Sequence, residues 1–126
     1  MLKLMSGWEL EVDRGPDCLL VKVRKPRRPA GALVPLGEAL WSILEQHLTY
    51  RLILDLGQVK SLDDEILDQL STLHDRVAGR GGLMRICGLT PHNCRLLQEH
   101  QLDDRLIPYH TVEEAMMGSI APRRPR

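Results

Sequence analysis

Aromatic side chains are scarce: two Trp, two Tyr and no Phe make up 3% of the 126 residues. A base-stacking surface for nucleic acid needs more of them. Net charge is missing too, because 17 basic and 17 acidic residues cancel to zero. Nucleic-acid-coating domains usually carry a clear basic excess, so no nucleic-acid partner is expected. No stretch approaches the roughly 20 apolar residues of a membrane-spanning helix. The opening MLKLMSGWELEV also lacks the apolar run of a signal peptide, which points to a soluble, cytoplasmic protein without membrane insertion. Cys18, Cys87 and Cys94 are odd in number and form no CxxC pair. That composition suits free, buried thiols in a reducing compartment.

Site signatures are equally sparse. The five histidines make no HExxH, and only His92 and Cys94 stand close together, two ligands short of a zinc site. Gly79, Gly81 and Gly82 follow a helical pattern and precede a strand, the reverse of the strand-to-helix order of phosphate-binding loops. They read as a helix stop and turn. No GxSxG elbow is present, and Cys87 sits inside an apolar run where a thiol is inert packing. The expectation is a protein that is not an enzyme and carries no cofactor or metal.

The chain does contain a regular succession of patterned segments, 43% hydrophobic overall and long enough for one domain. Trp8–Asp13 alternates apolar and charged residues, the mark of a half-buried strand, and its charged side suits a guarded sheet edge. Gly15-Pro16-Asp17 signals a turn, and Cys18–Val23 a second strand. Pro35–Leu48 repeats Leu36, Leu40, Ile43 and Leu44, with His47 or Leu48, at helical spacing. Tyr50–Leu56 reads as a strand buried on both faces. A helix starts at Asp63 or Asp64 and turns Ile66, Leu67, Leu70, Leu73 or His74, and Val77 inward.

Further on, Leu83–Cys87 is a strand, and Thr90-Pro91 opens a helix with Cys94, Leu97 and Gln101 inward. Leu106–Tyr109 is a short strand, and Thr111 to Glu114 has capping-box spacing for a last helix. This order predicts an α/β fold: a small mixed β-sheet, mostly parallel, with an antiparallel edge hairpin and about four flanking helices. Residues 1–119 are read as one domain and 120–126 as a flexible basic tail.

The zero net charge is a sum of opposites. Residues 22–28 hold Lys22, Arg24, Lys25, Arg27 and Arg28 with no acid, in a Pro-rich stretch read as a solvated loop. Asp55, Asp63, Asp64, Glu65, Asp68 and Asp75 face a single base, Lys60, over residues 55–75. One carboxylate can cap the helix, and acids in the first turn favour its dipole by about 0.3–1 kcal/mol each. Asp63-Asp64-Glu65 exceeds what capping requires, which points to an interaction surface ahead of a Mg²⁺ site.

The segment LILDLGQVKSLDDEIL, residues 52–67, resembles the signature of the STAS domain family, which includes bacterial anti-sigma factor antagonists. Asp55-Leu56, Val59, Leu62, Asp63 and Leu67 match its strand, loop and helix start. The likeness continues through the glycine turn, LMRICGLTP and LLQEHQLDDRLIPYHTVEEAM. It implies a regulatory module acting through protein–protein contact, with an anti-sigma factor or histidine-kinase-like ATPase as partner. The implied partner-binding residues are Ser61, Leu62, Asp63, Asp64, Glu65 and Ile66. Asp64 stands where phosphorylation-switched members carry Ser or Thr, so a serine kinase has no acceptor there. Other readings are a module sensing a nucleotide or other small ligand through the basic loop, and a scaffold subunit of a larger assembly. The sequence leaves the oligomeric state open.

Overall fold

The computed structural model of the chain describes residues 2–5, 8–15, 17–24 and 35–118. The basic stretch from Lys25 and the tail therefore lie outside the described residues. The elements are β1 (Leu2–Met5), β2 (Trp8–Arg14), β3 (Leu19–Arg24), α1 (Leu36–His47), β4 (Arg51–Asp55), α2 (Asp64–Gly79), β5 (Leu83–Cys87), α3 (Pro91–Glu99), β6 (Pro108–Tyr109) and α4 (Val112–Met117). The six strands form one sheet in the order β1-β2-β3-β4-β5-β6. β1–β2 and β2–β3 pair antiparallel, while β3–β4, β4–β5 and β5–β6 pair parallel. This is the mixed α/β sheet with four helices that the patterning predicts.

Two strand expectations change. β1 pairs Leu2 with Glu11 through Met5 with Trp8, so Trp8–Arg14 is an interior strand and not the guarded edge. A four-residue strand carries too little alternation to announce itself. β6 shrinks to Pro108–Tyr109, because Pro108 has no N–H for a ladder and Leu106 instead enters the core.

Topology decides where the core sits. The parallel strands advance in one direction across the sheet, so right-handed crossovers put α1, α2 and α3 on the same face. There the large aliphatic cluster forms, from Leu10, Leu19 and Leu54 in the strands to Leu40, Leu70 and Leu97 in the helices. Among the described residues the opposite face carries only the short α4, which closes a small cluster of Ile53, Cys87, Tyr109 and Ala115. β4 lies between both layers, which is why Leu52, Ile53 and Leu54 are all buried.

The helix ends follow local chemistry. Thr90 and Thr111 accept from the backbone N–H groups of Asn93 and Glu114, at 3.2 and 3.1 Å. Glu114 reaches back to the N–H of His110 at 3.0 Å, one residue earlier than the Thr111 cap itself. After α2 the chain turns at Gly81 with φ +70°, and a Cβ on Gly82 would lie 2.0 Å from the Tyr50 carbonyl oxygen. Only glycine allows that close approach. α1 ends with Leu48 in left-handed geometry and 82% exposed, outside the apolar stripe assigned to it. In α3 the inward residues are Asn93 and Leu97; Cys94 is half-buried and Gln101 exposed. Among the described residues no helix is long and apolar enough to cross a membrane.

Candidate functional site

β4 ends at Asp55, whose carboxylate accepts from the Gly57 N–H at 2.9 Å and folds the chain out of the sheet. The loop then passes Val59 and Leu62, both buried, and enters α2 at the carboxyl end of the parallel strands. That end of an open α/β sheet is where sites tend to form.

A single buried polar side chain holds the loop. Asn93, 0% exposed on α3, accepts from the Leu62 N–H at 2.9 Å. Its amide also donates to the Val59 carbonyl at 2.9 Å. Both backbone groups would otherwise be orphaned in an apolar setting. Asn93 is the residue the sequence reading missed. Its signal was the four-residue spacing to Leu97, which puts both on one helix face.

From this anchor the predicted site residues take different roles. Leu62 is 0% exposed and packs beneath the surface, so it leaves the set of residues a partner can touch. Asp63 caps α2, its Oδ1 accepting from the Ile66 N–H at 2.9 Å. Ile66 is half-buried at the flank. Ser61, Asp64 and Glu65 face solvent. The Ser61 hydroxyl lies 3.2 Å from His92 Nε2. Asp64, with its side chain 88% exposed, places Oδ1 2.8 Å from His100 Nε2.

His100 deserves its own account. Its Nδ1 lies 3.0 Å from the Leu96 carbonyl, so both ring nitrogens face acceptors. Only the imidazolium can donate to both at once. The Leu96 carbonyl first, and the Asp64 carboxylate after it, accordingly hold the His100 pKa above its ordinary value. Farther along α2, Arg105 bonds the Ser71 hydroxyl at 3.1 Å and pairs with Asp75. The Arg105 guanidinium holds the Asp75 carboxyl below the usual range. The start of α2 is thus braced against α3 by Asn93 and His100, and its middle by Arg105.

No group of three or more His, Cys, Asp or Glu side chains among the described residues is placed to hold a metal ion. Cys87 is 1% exposed, and burial above all, then the Asp55 and Glu113 charges, push its thiol up to about 12. It stays protonated and unreactive at neutral pH.

Comparison with known proteins adds the following. The STAS domain model matches residues 32–115. The fold is similar to that of an anti-sigma factor antagonist from Mycobacterium paratuberculosis, with TM-score 0.70, 19% identity, and 90% of this chain and 94% of that one covered. It is similar to RsbS of Moorella thermoacetica carrying a Ser-to-Glu substitution, with TM-score 0.70, 14% identity and coverage of 86% and 92%. An anti-sigma-factor antagonist (STAS) domain protein from Planctomyces limnophilus gives TM-score 0.60 at 16% identity, covering 86% and 96%. At these identities the likeness is one of fold. A comparison with curated protein sequences finds no match.

Proposed function

The chain belongs to the STAS domain family, and from that membership we propose that it is a non-catalytic regulatory module that binds another protein through the start of α2. The contact residues are Asp64 and Glu65 at the tip, with Ser61 and Ile66 flanking and Asp63 holding the helix end. Leu62 supports them from below. An anti-sigma factor fits the partner class, in keeping with the neighbours named anti-sigma factor antagonists, and a histidine-kinase-like ATPase is the other partner the family resemblance implies. The observation that carries this reading is the exposed Asp64 carboxylate on a helix start pinned by the buried Asn93. A braced backbone with exposed charges suits recognition, since little ordering entropy is lost on docking.

Asp64 also makes the site independent of serine kinases. Its one negative charge replaces the 1.5 to 2 of a phosphoserine, with fewer acceptor oxygens. Affinity capture from the native cell, followed by titration of the captured partner, tests the proposal. Asp64→Ser and Asp64→Lys are expected to move its affinity by about tenfold or more, or about 1.4 kcal/mol. Asp64→Ser is also expected to accept phosphate from a cognate kinase. Affinity unchanged by either variant, with no phosphate uptake, would refute the assignment.

A further inference from the structure

Beside the α2 tip, two open cavities of about 180 Å³ each lie end to end where α1 meets α2. Both are lined by Pro35 and Gln69. Gln69 Oε1 accepts from the Gly37 N–H at 2.9 Å, and a Cβ on Gly37 would stand 2.9 Å from that same oxygen. Glycine there lets the helices touch, and the Gln69 bridge forms a saddle between the cavities. Trp8, Leu36 and Ile66 floor the first cavity, beside Asp63 and Glu65. Leu73 lies under the second, with Glu38 and Asp68 at its rim.

The charges are one-sided. Among the described residues Arg76 is the only base in the lining, and it is engaged by Glu38 at 3.1 Å and stacked 4.2 Å from the Trp41 ring. Glu65 and Asp68 form no ion pair among the described residues. The cleft therefore combines an apolar floor, two subsites and an acidic rim closed at one end by a committed cation. On α2 the residues lining the first cavity, Glu65, Ile66 and Gln69, are centred about five residues before those lining the second, or ~7 Å at 1.5 Å per residue. That is little more than one turn of a helix, nearest the spacing of side chains at i and i+4.

We infer that this cleft takes a basic amphipathic helix from the regulatory partner, with apolar side chains at i and i+4 seated on either side of Gln69. Lysines or arginines flanking those anchors meet Glu65 and Asp68, which gives orientation and a salt-sensitive on-rate. The inference rests on the proposed protein-binding role and extends it from the α2 tip into the α1–α2 cleft. Glu65 belongs to both regions, but Asp64 lines neither cavity and Asp68 is not among the tip contacts, so substitutions at those two positions perturb the regions separately.

The probe is a capped 14-residue helical peptide with leucine at i and i+4 and flanking lysines, compared with the same peptide carrying glutamate for each lysine. Binding is followed by amide chemical shifts in the full chain. The lysine peptide is expected to saturate and to shift Gly37, Gln69 and Thr72. Asp68→Lys and Glu65→Lys should each weaken it about tenfold or more, and Asp103→Ser, at an exposed acid outside both the cleft and the tip, should leave it within about twofold. Glu65 and Asp68 are exposed, and Asp68→Asn serves if the charge reversal disturbs folding. Equal binding of the glutamate peptide, shifts confined to another face, or indifference to Asp68→Lys would overturn the inference. So would self-association of the chain that Asp68→Lys abolishes, because the occupant would then be a second copy. A native partner sensitive to Asp64→Ser but not to Asp68→Lys would leave the tip assignment standing and the cleft refuted.

Discussion

Replacing Asn93 tests the keystone of the site. Asn93→Ala removes the acceptor of the Leu62 N–H and the donor to the Val59 carbonyl, each bonded at 2.9 Å in a buried setting. A buried polar group left unpaired costs about 1–3 kcal/mol, so two orphans cost roughly 2–6 kcal/mol before the loop relaxes. Part of that returns if water follows, leaving about 3 kcal/mol, a large share of a domain stability of about 5–15 kcal/mol. For a chain of this size the melting temperature should drop by roughly 10 °C. Urea unfolding supplies the free energy, and amide exchange at Leu62 supplies the location, because that N–H loses its protection. Asn93→Asp sharpens the test. As a carboxylate it still accepts from Leu62 but faces the Val59 carbonyl without a proton. As a neutral acid it can donate again. Its folded-state pKa is therefore raised, and the deficit shrinks as pH falls and grows as pH rises through that value. A loss under about 0.5 kcal/mol for Asn93→Ala, or unchanged exchange at Leu62, would refute the role of Asn93 as the anchor of the helix start.

Three further outcomes are expected. The His100 ring should titrate above the ordinary histidine value, and its bridge between α2 and α3 is fully present below that ordinary value and lost as pH rises through the raised one. Ring-proton NMR checks this, and Asp64→Asn should lower the midpoint only in part, since the Leu96 carbonyl is the larger cause. Asp63→Ala should destabilise by about 1 kcal/mol in urea unfolding through loss of the α2 cap, while Asp63→Ser stays near neutral. Cys87, pushed up to about 12, should resist alkylation at neutral pH in the folded protein and react once it is unfolded. A native-state rate matching that of the unfolded chain would show that the thiol is not held in the core.

What could be read in the sequence is what is set locally. The Trp8, Leu10, Val12 alternation assigns both a strand and its buried face. Asp63 could be picked as a cap because its bond to the Ile66 N–H spans only three residues. Contacts across long separations left no such trace. The Asn93 bond to Leu62 spans 31 residues, and the Asp64–His100 pair spans 36. Both depend on how α3 docks against α2, which local propensity does not specify. The residues of the tip were thus legible as a charged helix start. The brace that makes it a surface of fixed shape was not.

That brace bears on why an aspartate suits this helix start under the proposed function. His100 approaches Asp64 with one imidazolium, and the Leu96 carbonyl fixes the ring by its other nitrogen. One charge on Asp64 can be matched by one charge on His100. A phosphoserine, with 1.5 to 2 charges and three acceptor oxygens, would exceed what a single imidazolium can neutralise. It would also sit beside Glu65 and Asp68, adding repulsion on a rim that is already acidic. The charge at the tip is therefore adjustable by protonation of a neighbour instead of by covalent modification. As pH rises through the raised His100 value the imidazolium is lost, and a partner would then meet a more negative tip. Under the proposed function, discrimination between partners then falls to the acids that make no bond to His100, Glu65 beside the tip and Asp68 on the rim of the cleft.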